Sequence, residues 1–478
     1  MSLETDQERR VDGRPVAVRR GAELVRGLNV WHAISIVAGT IIGSGIFLVP
    51  AEMMQAVGSA GLVYLAWVVG GLLSFFGALT YAELGAVRPF AGGEYVYVRD
   101  AYGPLPGFLY GWTWFLIAKP ASIATVTAGL VRVLSTFSAF SFLQQALFAW
   151  HVTSSRVLVV NYGHLVAVAA TVLITVLNYV GVRKAGNFQF AFTVLKVAII
   201  LLVAFVAFTA SSGTWSNFAT SFSGATGGIS GFMAALVAAL WAYDGWNDLN
   251  MVSEEIERPE KSIPIALIAG VDLVAFLYIG MNAGIQRALP AALIARSAVP
   301  AAAASEAALG HFGVTLVSIG MIISMLATLN GTIMSGGRVP FAVARDGYLF
   351  KALGEVHPKF HTPGLALVIQ AIVAILLILL GGAFRELFSL AIFAEWLFYM
   401  VAASTIFVFR KREADVPRPY KTMGYPVVPA LFIGTASVLL YYTFVSNLRD
   451  SLAGVVVILL GIPVYWWFAR QQQNRPEV

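Results

Sequence analysis

Ile41-Ile42-Gly43-Ser44-Gly45-Ile46-Phe47 lies in the middle of the first long apolar segment of the chain, and its reading decides the fold. The flanks, 30–42 and 46–57, read as helix. The centre does not, because two glycines around a serine hold a helix poorly. In lipid, a broken helix survives only where its freed backbone groups line a cavity or face other protein. Such a break points amides one way and carbonyls the other. That polarity suits a small ligand with an anionic and a cationic end, since helix N-termini favour carboxylates and unwound carbonyls favour cations. The stretch therefore predicts a binding site at mid-membrane.

Composition agrees with a membrane protein. The 478 residues are 58% hydrophobic and only 12% charged, unlike a soluble domain of this size. Cysteine is absent, which excludes a disulfide framework, thiolate metal sites and a disulfide-linked ancillary subunit. No cleavable signal peptide is expected, since the first apolar segment is too long and follows a polar stretch. Residues 1–27 read as a polar, Arg-rich cytoplasmic tail. Apolar segments of membrane length follow at 30–57, 61–82, 105–134, 162–181, 187–209, 229–253, 264–288, 312–340, 364–382, 387–409, 427–446 and 451–469, predicting twelve transmembrane helices.

Loop charge orients them. With the N-terminus in the cytoplasm, 23 of the 31 Lys and Arg fall in cytoplasmic segments and six outside, the other two being Lys119 and Lys196 within spans. This bias places both ends in the cytoplasm of a multi-pass protein of the cell's inner (plasma) membrane, and it accounts for the net charge of +6 without nucleic acid.

A second break interrupts the sixth segment at Trp241-Ala242-Tyr243-Asp244-Gly245-Trp246-Asn247-Asp248. It falls five spans after the first, an odd number, so two halves each led by a discontinuous helix would lie in opposite orientations. This is the inverted-repeat plan of many secondary transporters. The expected divisions are 28–209 (spans 1–5), 210–410 (spans 6–10) and 411–478 (spans 11 and 12 with a tail).

Ile41 to Phe47, Val87-Arg88-Pro89-Phe90-Ala91-Gly92-Gly93-Glu94-Tyr95, Tyr243-Asp244-Gly245-Trp246-Asn247 and Ser253-Glu254-Glu255 with Pro259 and Ile263-Pro264 resemble the L-type amino acid transporter family, part of the amino acid–polyamine–organocation superfamily. Arg345-Asp346-Gly347 followed by His357-Pro358-Lys359 fits the same pattern, and the likeness covers roughly residues 28–470. It implies an all-α membrane protein of the leucine-transporter fold that moves amino acids without sodium, commonly by exchange. No cofactor or metal is implied.

Under that resemblance, the amides near Gly43, Ser44 and Gly45 take the substrate carboxylate, and the carbonyls of Ile41, Trp241 and Asp244 take its ammonium. Tyr243 and Asn247 belong to the same substrate-binding set. Trp241 stands where the family has a gating aromatic. Close helix packing is the bland alternative for the glycines, as simple packing is for the tryptophan. Lys196 lies near the bilayer midplane, where a lysine costs ~2.5–3.5 kcal/mol on insertion scales. It reads either as a cation bridging helices or as a fixed charge in place of sodium. Lys119 precedes Pro120 toward the outer side, where snorkelling competes with a direct role. Asp244, Asp248, Glu395 and Trp396 are expected near the cavity, in gating or selectivity. Family members that handle cationic amino acids have an aspartate matching Asp244, whereas Glu395 departs from the uncharged residue common in relatives. Asp272 reads as structural, and Glu254-Glu255 as a pair at the cytoplasmic end facing basic loops.

The expected function is a sodium-independent transporter of L-amino acids, neutral and also cationic, working by exchange. A proton-coupled symporter is the alternative, and a non-transporting sensor a more distant one. An enzyme is not expected, since no catalytic, metal-spacing or phosphate-loop motif appears.

Overall fold

A computed structural model describes residues 22–153, 156–380, 384–446 and 448–473, with two short strands before them, β1 (Arg10–Val11) and β2 (Arg14–Pro15). The tail expected at 1–27 lies mostly outside the described residues, as does the end of the chain beyond 473.

The first apolar segment forms α1 (Val30–Ile41) and α2 (Gly45–Val57), separated at Ile42, Gly43 and Ser44. Asn29 caps α1, its side chain accepting from the amides of Trp31 and His32, and this fixes where the helix starts. Then follow α3 (Ala60–Val87), α4 (Glu94–Tyr102), α5 (Pro104–Thr113) and α6 (Lys119–Leu134). A π-turn at Trp114–Ala118 joins α5 to α6 in one long rod. α7 (Tyr162–Tyr179) and α8 (Val182–Thr209) complete the first half.

The second half opens on α9 (Gly228–Ala242), which stops before Tyr243 and resumes as the single turn α10 (Asp248–Met251). It continues with α11 (Pro259–Ala288), α12 (Ala291–Arg296), α13 (Pro300–Leu309), α14 (His311–Gly336), α15 (Arg338–Arg345), α16 (Gly364–Leu380) and α17 (Phe384–Arg412). Last come α18 (Val427–Ser446), α19 (Leu448–Leu459) and α20 (Gly461–Gln473).

Among the described residues, nine helical segments are long and apolar enough to cross a membrane, and α9 and α16 are shorter apolar helices. The chain is thus a multi-pass membrane protein. The architecture is all-helical as expected, apart from short strand pairs in the N-terminal stretch and in one loop. β3 (Ala146–Thr153) and β4 (Arg156–Asn161) form an antiparallel hairpin between α6 and α7. Its aromatic and β-branched residues, Phe148, Trp150, Val159 and Val160 among them, favour strand pairing. The loop helices α4, α12 and α13 also lay below the span-length signal.

α11 packs along α3, α1 and α8, while α14 packs on α8, α6 and α1, so the first break is enclosed by long helices. α2 lies against α9, which brings the two broken segments together. They meet at backbone distance. A Cβ on Gly45 would lie 3.2 Å from the Ala242 Cβ, and Thr40 Oγ1 sits 2.8 Å from the Gly245 carbonyl. Gly245 has φ +104°, which a side chain rarely adopts.

The end of the molecule that carries the basic loops is sealed. Leu28 bridges to the residues after α10: its amide donates to Glu255 O at 3.0 Å, and its carbonyl accepts from Glu257 N at 2.8 Å. The Gly92 amide donates to Met251 O at 2.9 Å, and Gly93 presses on the same turn. Arg338 forms a fully buried two-point pair with Glu255, at 2.7 and 2.9 Å. Arg345 reaches Glu254 at 2.8 Å, and Asp346 takes Tyr95 OH at 2.7 Å together with Arg99. Glu83 on α3 holds Arg410 and Arg418 from the α17 side.

Gly93 offers a direct test of this seal. Its φ is +48°, and a Cβ there would stand 2.6 Å from the Asn250 carbonyl carbon and 2.8 Å from the Met251 nitrogen. Neither atom can swing aside. Gly93→Ala should destabilise the protein by roughly 1–3 kcal/mol, the usual cost of imposed backbone strain. Gly61→Ala, which meets nothing within 4 Å, should leave thermal unfolding in detergent unchanged.

Candidate substrate site

The two breaks expose backbone groups that a low-dielectric interior cannot leave unpaired. At the end of α1, the Gly39 carbonyl accepts from Lys196 Nζ at 2.6 Å and from Thr328 Oγ1 at 3.2 Å. The Ile42 carbonyl accepts from Lys196 Nζ and Ser324 Oγ, both at 2.7 Å, and from Thr328 Oγ1 at 3.1 Å. Ser324 also lies 3.0 Å from Gly43 O. Lys196 is only 1% exposed and projects from α8 into this carbonyl cluster. It lies behind the break, on the side away from the cavity.

Tyr278 on α11 joins the two breaks. Its hydroxyl lies 2.9 Å from Ala242 O, the end of α9, and 3.2 Å from Ile41 O, the end of α1. A carbonyl oxygen has two acceptor positions, so Ile41 O keeps one for a further donor. At the opposite side of the break, α2 begins at Gly45, and the first amides of a helix have no intrahelical acceptor.

A cavity of about 410 Å³ opens over this crossing. Its size suits a small polar molecule, ligand pockets being roughly 300–1,000 Å³. Ile41, Gly43, Ser44, Gly45, Trp241, Asp244, Asp248 and Glu395 all line it, so the structure brings together eight of the residues singled out from sequence. It extends along α6 from Lys119 to Arg132, roughly 20 Å at 1.5 Å per residue.

Four others singled out from sequence stand apart from it. Tyr243 is fully buried, its ring packed edge-on to Trp67 and tilted against Tyr278, and it faces away from the cavity. Asn247 is buried as well, its amide donating to Glu94 Oε1 at 2.6 Å. These positions lie within a few residues of Trp241 and Asp244, but Tyr243 packs into the aromatic cluster with Trp67 and Tyr278, and Asn247 turns to Glu94. Trp396 lines a separate small void of about 50 Å³ that it shares with Trp241, Asp244 and Glu395, beside α18. Asp272 lies on the exposed side of α11, outside the cavity.

Sequence position left snorkelling and a direct role both open for Lys119. It is 7% exposed and forms an ion pair with Asp248 on the cavity floor. Ser335 Oγ donates to the other Asp248 oxygen at 2.9 Å, so the carboxylate is served from α6 and α14 at once. Asp244 accepts from Tyr399 OH at 3.0 Å. Glu395 is buried and lines the cavity, with no hydrogen bond from a described residue. The floor therefore offers three carboxyls and one ammonium in a small volume.

Sequence reasoning also missed Ser324, Thr328, Thr332 and Ser335. They recur at intervals of four, four and three along α14 and make one polar stripe on an apolar helix. That periodicity was available in the sequence. Tyr278 and Tyr399, single tyrosines in apolar runs, carried no such signal.

The sequence profile of a family described as amino acid permease matches residues 28–468. Three relatives show the same span. The serine/threonine exchanger SteT of Bacillus subtilis (strain 168) is 32% identical over 457 residues, covering 94% of this chain and 98% of its own length. The human cystine/glutamate transporter is 32% identical over 447 residues, 93% and 86% of the two chains. The human b(0,+)-type amino acid transporter 1 is 30% identical over 467 residues, 97% and 92%. By name these relatives are transporters or exchangers and not enzymes.

The Lys119–Asp248 pair yields a thermodynamic test. Lys119→Met leaves a buried carboxylate without its partner and should destabilise the protein by about 3–5 kcal/mol. Adding Asp248→Asn removes the orphaned charge, so the double variant should recover most of that loss. Chemical or thermal unfolding of the wild type, both single variants and the double variant measures the coupling. Purely additive losses would mean that the two groups do not interact.

Proposed function

Because the chain belongs to the amino acid permease family, we propose that it is an amino acid exchanger that binds its substrate at the crossing of two discontinuous helices and works by alternating access. The observation that carries this reading is the juxtaposition under one cavity of the α2 N-terminus at Gly45 and the open end of α9 at Trp241 and Asp244. Amides on one side and carbonyls on the other match the two charged ends of an α-amino acid.

The architecture proposed is the leucine-transporter fold with twelve spans. Inverted repeats cover 28–209 and 210–410, and 411–478 is appended. Both termini face the cytoplasm of the plasma membrane. The sealed end is then cytoplasmic, and the end of the cavity at Arg132 opens outward. In this reading Ile41, Gly43, Ser44, Gly45, Trp241 and Asp244 contact the substrate, and Trp241 closes over it. Tyr243 and Asn247 position the break instead of touching the ligand. Lys196, already bound to two carbonyls, supplies a fixed charge where a sodium ion would otherwise be needed. The names of the relatives, which span serine, threonine, cystine, glutamate and general amino acids, support an amino acid substrate without choosing one. With no cysteine in the sequence, no disulfide to an ancillary subunit forms through this chain.

Proton-coupled symport is the second reading. Glu395 favours it, being a buried carboxyl on the cavity with no hydrogen-bond donor among the described residues. One assay separates the two. In proteoliposomes, exchange requires that preloading with amino acid stimulate uptake and that replacing sodium by choline leave it intact. Uptake into empty vesicles that equals preloaded uptake and grows with an inward proton gradient would favour symport. Loss of uptake in choline would remove the proposed role of Lys196.

Selectivity follows from the floor charges. A lysine or arginine side chain desolvated here needs a carboxylate, and neutral side chains fit the aliphatic and aromatic walls. Both classes of L-amino acid should therefore compete for uptake. Asp244→Asn should weaken competition by arginine and lysine by ~1–3 kcal/mol, the size of a charge-assisted hydrogen bond, and spare alanine and leucine. Equal loss of both classes would make Asp244 a support of the helix break.

A further inference from the structure

Beneath the cavity, on the sealed side, lies a buried polar pocket that the substrate site does not use. Glu94, the first residue of α4, is 0% exposed. Its Oε1 accepts from Asn247 Nδ2 at 2.6 Å, just ahead of α10. Its Oε2 is sealed and has no partner. Around it, Asn247 Oδ1, Asn250 Oδ1, Tyr97 OH and Tyr110 OH are likewise buried and unpartnered. The Gly92 amide bonded to Met251 O and Gly93 packed on Asn250 clamp the start of α4 to α10, so this pocket exists only while α10 stays in place.

The chemistry of the set is informative. As an anion Glu94 would hold a full charge in a sealed site with only Oε1 hydrogen-bonded, by Asn247, and with Oε2 completing no hydrogen bond. A buried charge with a sealed, unpartnered oxygen is among the costliest arrangements in a protein. A proton on Oε2 removes that buried charge and turns the atom into a donor. The tyrosine hydroxyls make no hydrogen bond in the observed geometry.

We propose that Glu94 is a single-proton site, occupied while the cytoplasmic side is sealed and emptied when α10 moves away. On opening, the Oε2–H bond breaks, the proton passes to cytoplasmic water and a hydrated carboxylate remains. The inference rests on the alternating access proposed above. Burial pushes the Glu94 carboxyl up to about 8, against the lowering effect of the Asn247 hydrogen bond. The other charged and titratable groups facing it are Asp248 at α10 and Lys119 on α6, paired with each other, and Tyr81, Tyr97, Tyr110 and Tyr399 from α3, α4, α5 and α17.

The sign follows from linkage. The sealed state binds the proton more tightly than a state with a wetted carboxyl, so acid favours sealing. That preference is complete below the ordinary carboxyl range and is lost as pH rises through about 8. In between, each pH unit shifts the equilibrium by up to about tenfold. Cytoplasmic acidification would hold the transporter shut on that side.

The absence of cysteine makes the test clean. Spin labels on cysteines introduced at the exposed Val25 and Phe350 report opening by pulsed electron paramagnetic resonance, in detergent and without substrate. The opened population should grow from pH 6 to pH 8.5 in the parent and stay low and flat in Glu94→Gln. Infrared titration should show a neutral-carboxyl band that disappears with a midpoint near 8 and is missing in Glu94→Gln. If that variant does not fold, Asn247→Leu serves, since removing the one donor to the carboxylate must move the midpoint upward. A pH-independent population, an unchanged pH response in Glu94→Gln, or a neutral-carboxyl band without any shift in population would overturn the proposal. Failure of amino acid uptake in proteoliposomes with these signals intact would instead indict the transport reading.

Discussion

Everything in this structure depends on satisfying backbone groups at two interrupted helices inside an apolar interior. A carbonyl left unpaired there costs about 1–3 kcal/mol or more, and each break exposes several. The answer is a set of side-chain donors brought in from the surrounding helices: Lys196 from α8, Ser324 and Thr328 from α14, Tyr278 from α11 and Thr40 from α1 itself. Because these donors come from both halves of the chain, neither break is stable alone. The fold positions the site by making it the place where these debts are settled.

Charge is distributed to match. The cavity floor mixes acids with a single ammonium, and each charge except Glu395 has a named partner. The sealed end is organised differently. There Arg338–Glu255 is fully buried, and the remaining pairs grow more exposed toward the surface, Arg345–Glu254 being about a quarter to a third exposed. Buried pairs add little net stability, but breaking one by losing a partner is expensive. Such an arrangement favours specificity of closure over strength.

Much of this was legible in the sequence. Glycine and serine between isoleucines located the first break: helix was expected over 30–42 and 46–57, and it runs over Val30–Ile41 and Gly45–Val57. Asp244 and Gly245 located the second, since acids and glycine do not belong within an apolar helix. What could not be read was direction. Tyr243 and Asn247 lie in the same motif as Asp244, yet Tyr243 is packed against Trp67 and Tyr278 and Asn247 donates to Glu94, both away from the cavity. Lys119 was left open for a related reason. Depth along a span says nothing about which neighbour faces a side chain, and its partner Asp248 is 129 residues away. The hairpin β3–β4 was hidden because strands of six and eight residues without clean alternation are a weak signal beside spans of nearly 30.

The bridge at Leu28 has a mechanical meaning. A residue just ahead of α1 exchanges two backbone hydrogen bonds with the residues just beyond α10, as adjacent strands do. Backbone ladders of this kind stretch by tenths of an ångström before they break. The ends of the two discontinuous helices on the sealed side are therefore yoked, and neither can be displaced without towing the other. Motion on that side reduces to a single degree of freedom: a swing of one body, with no independent flapping of two half-helices.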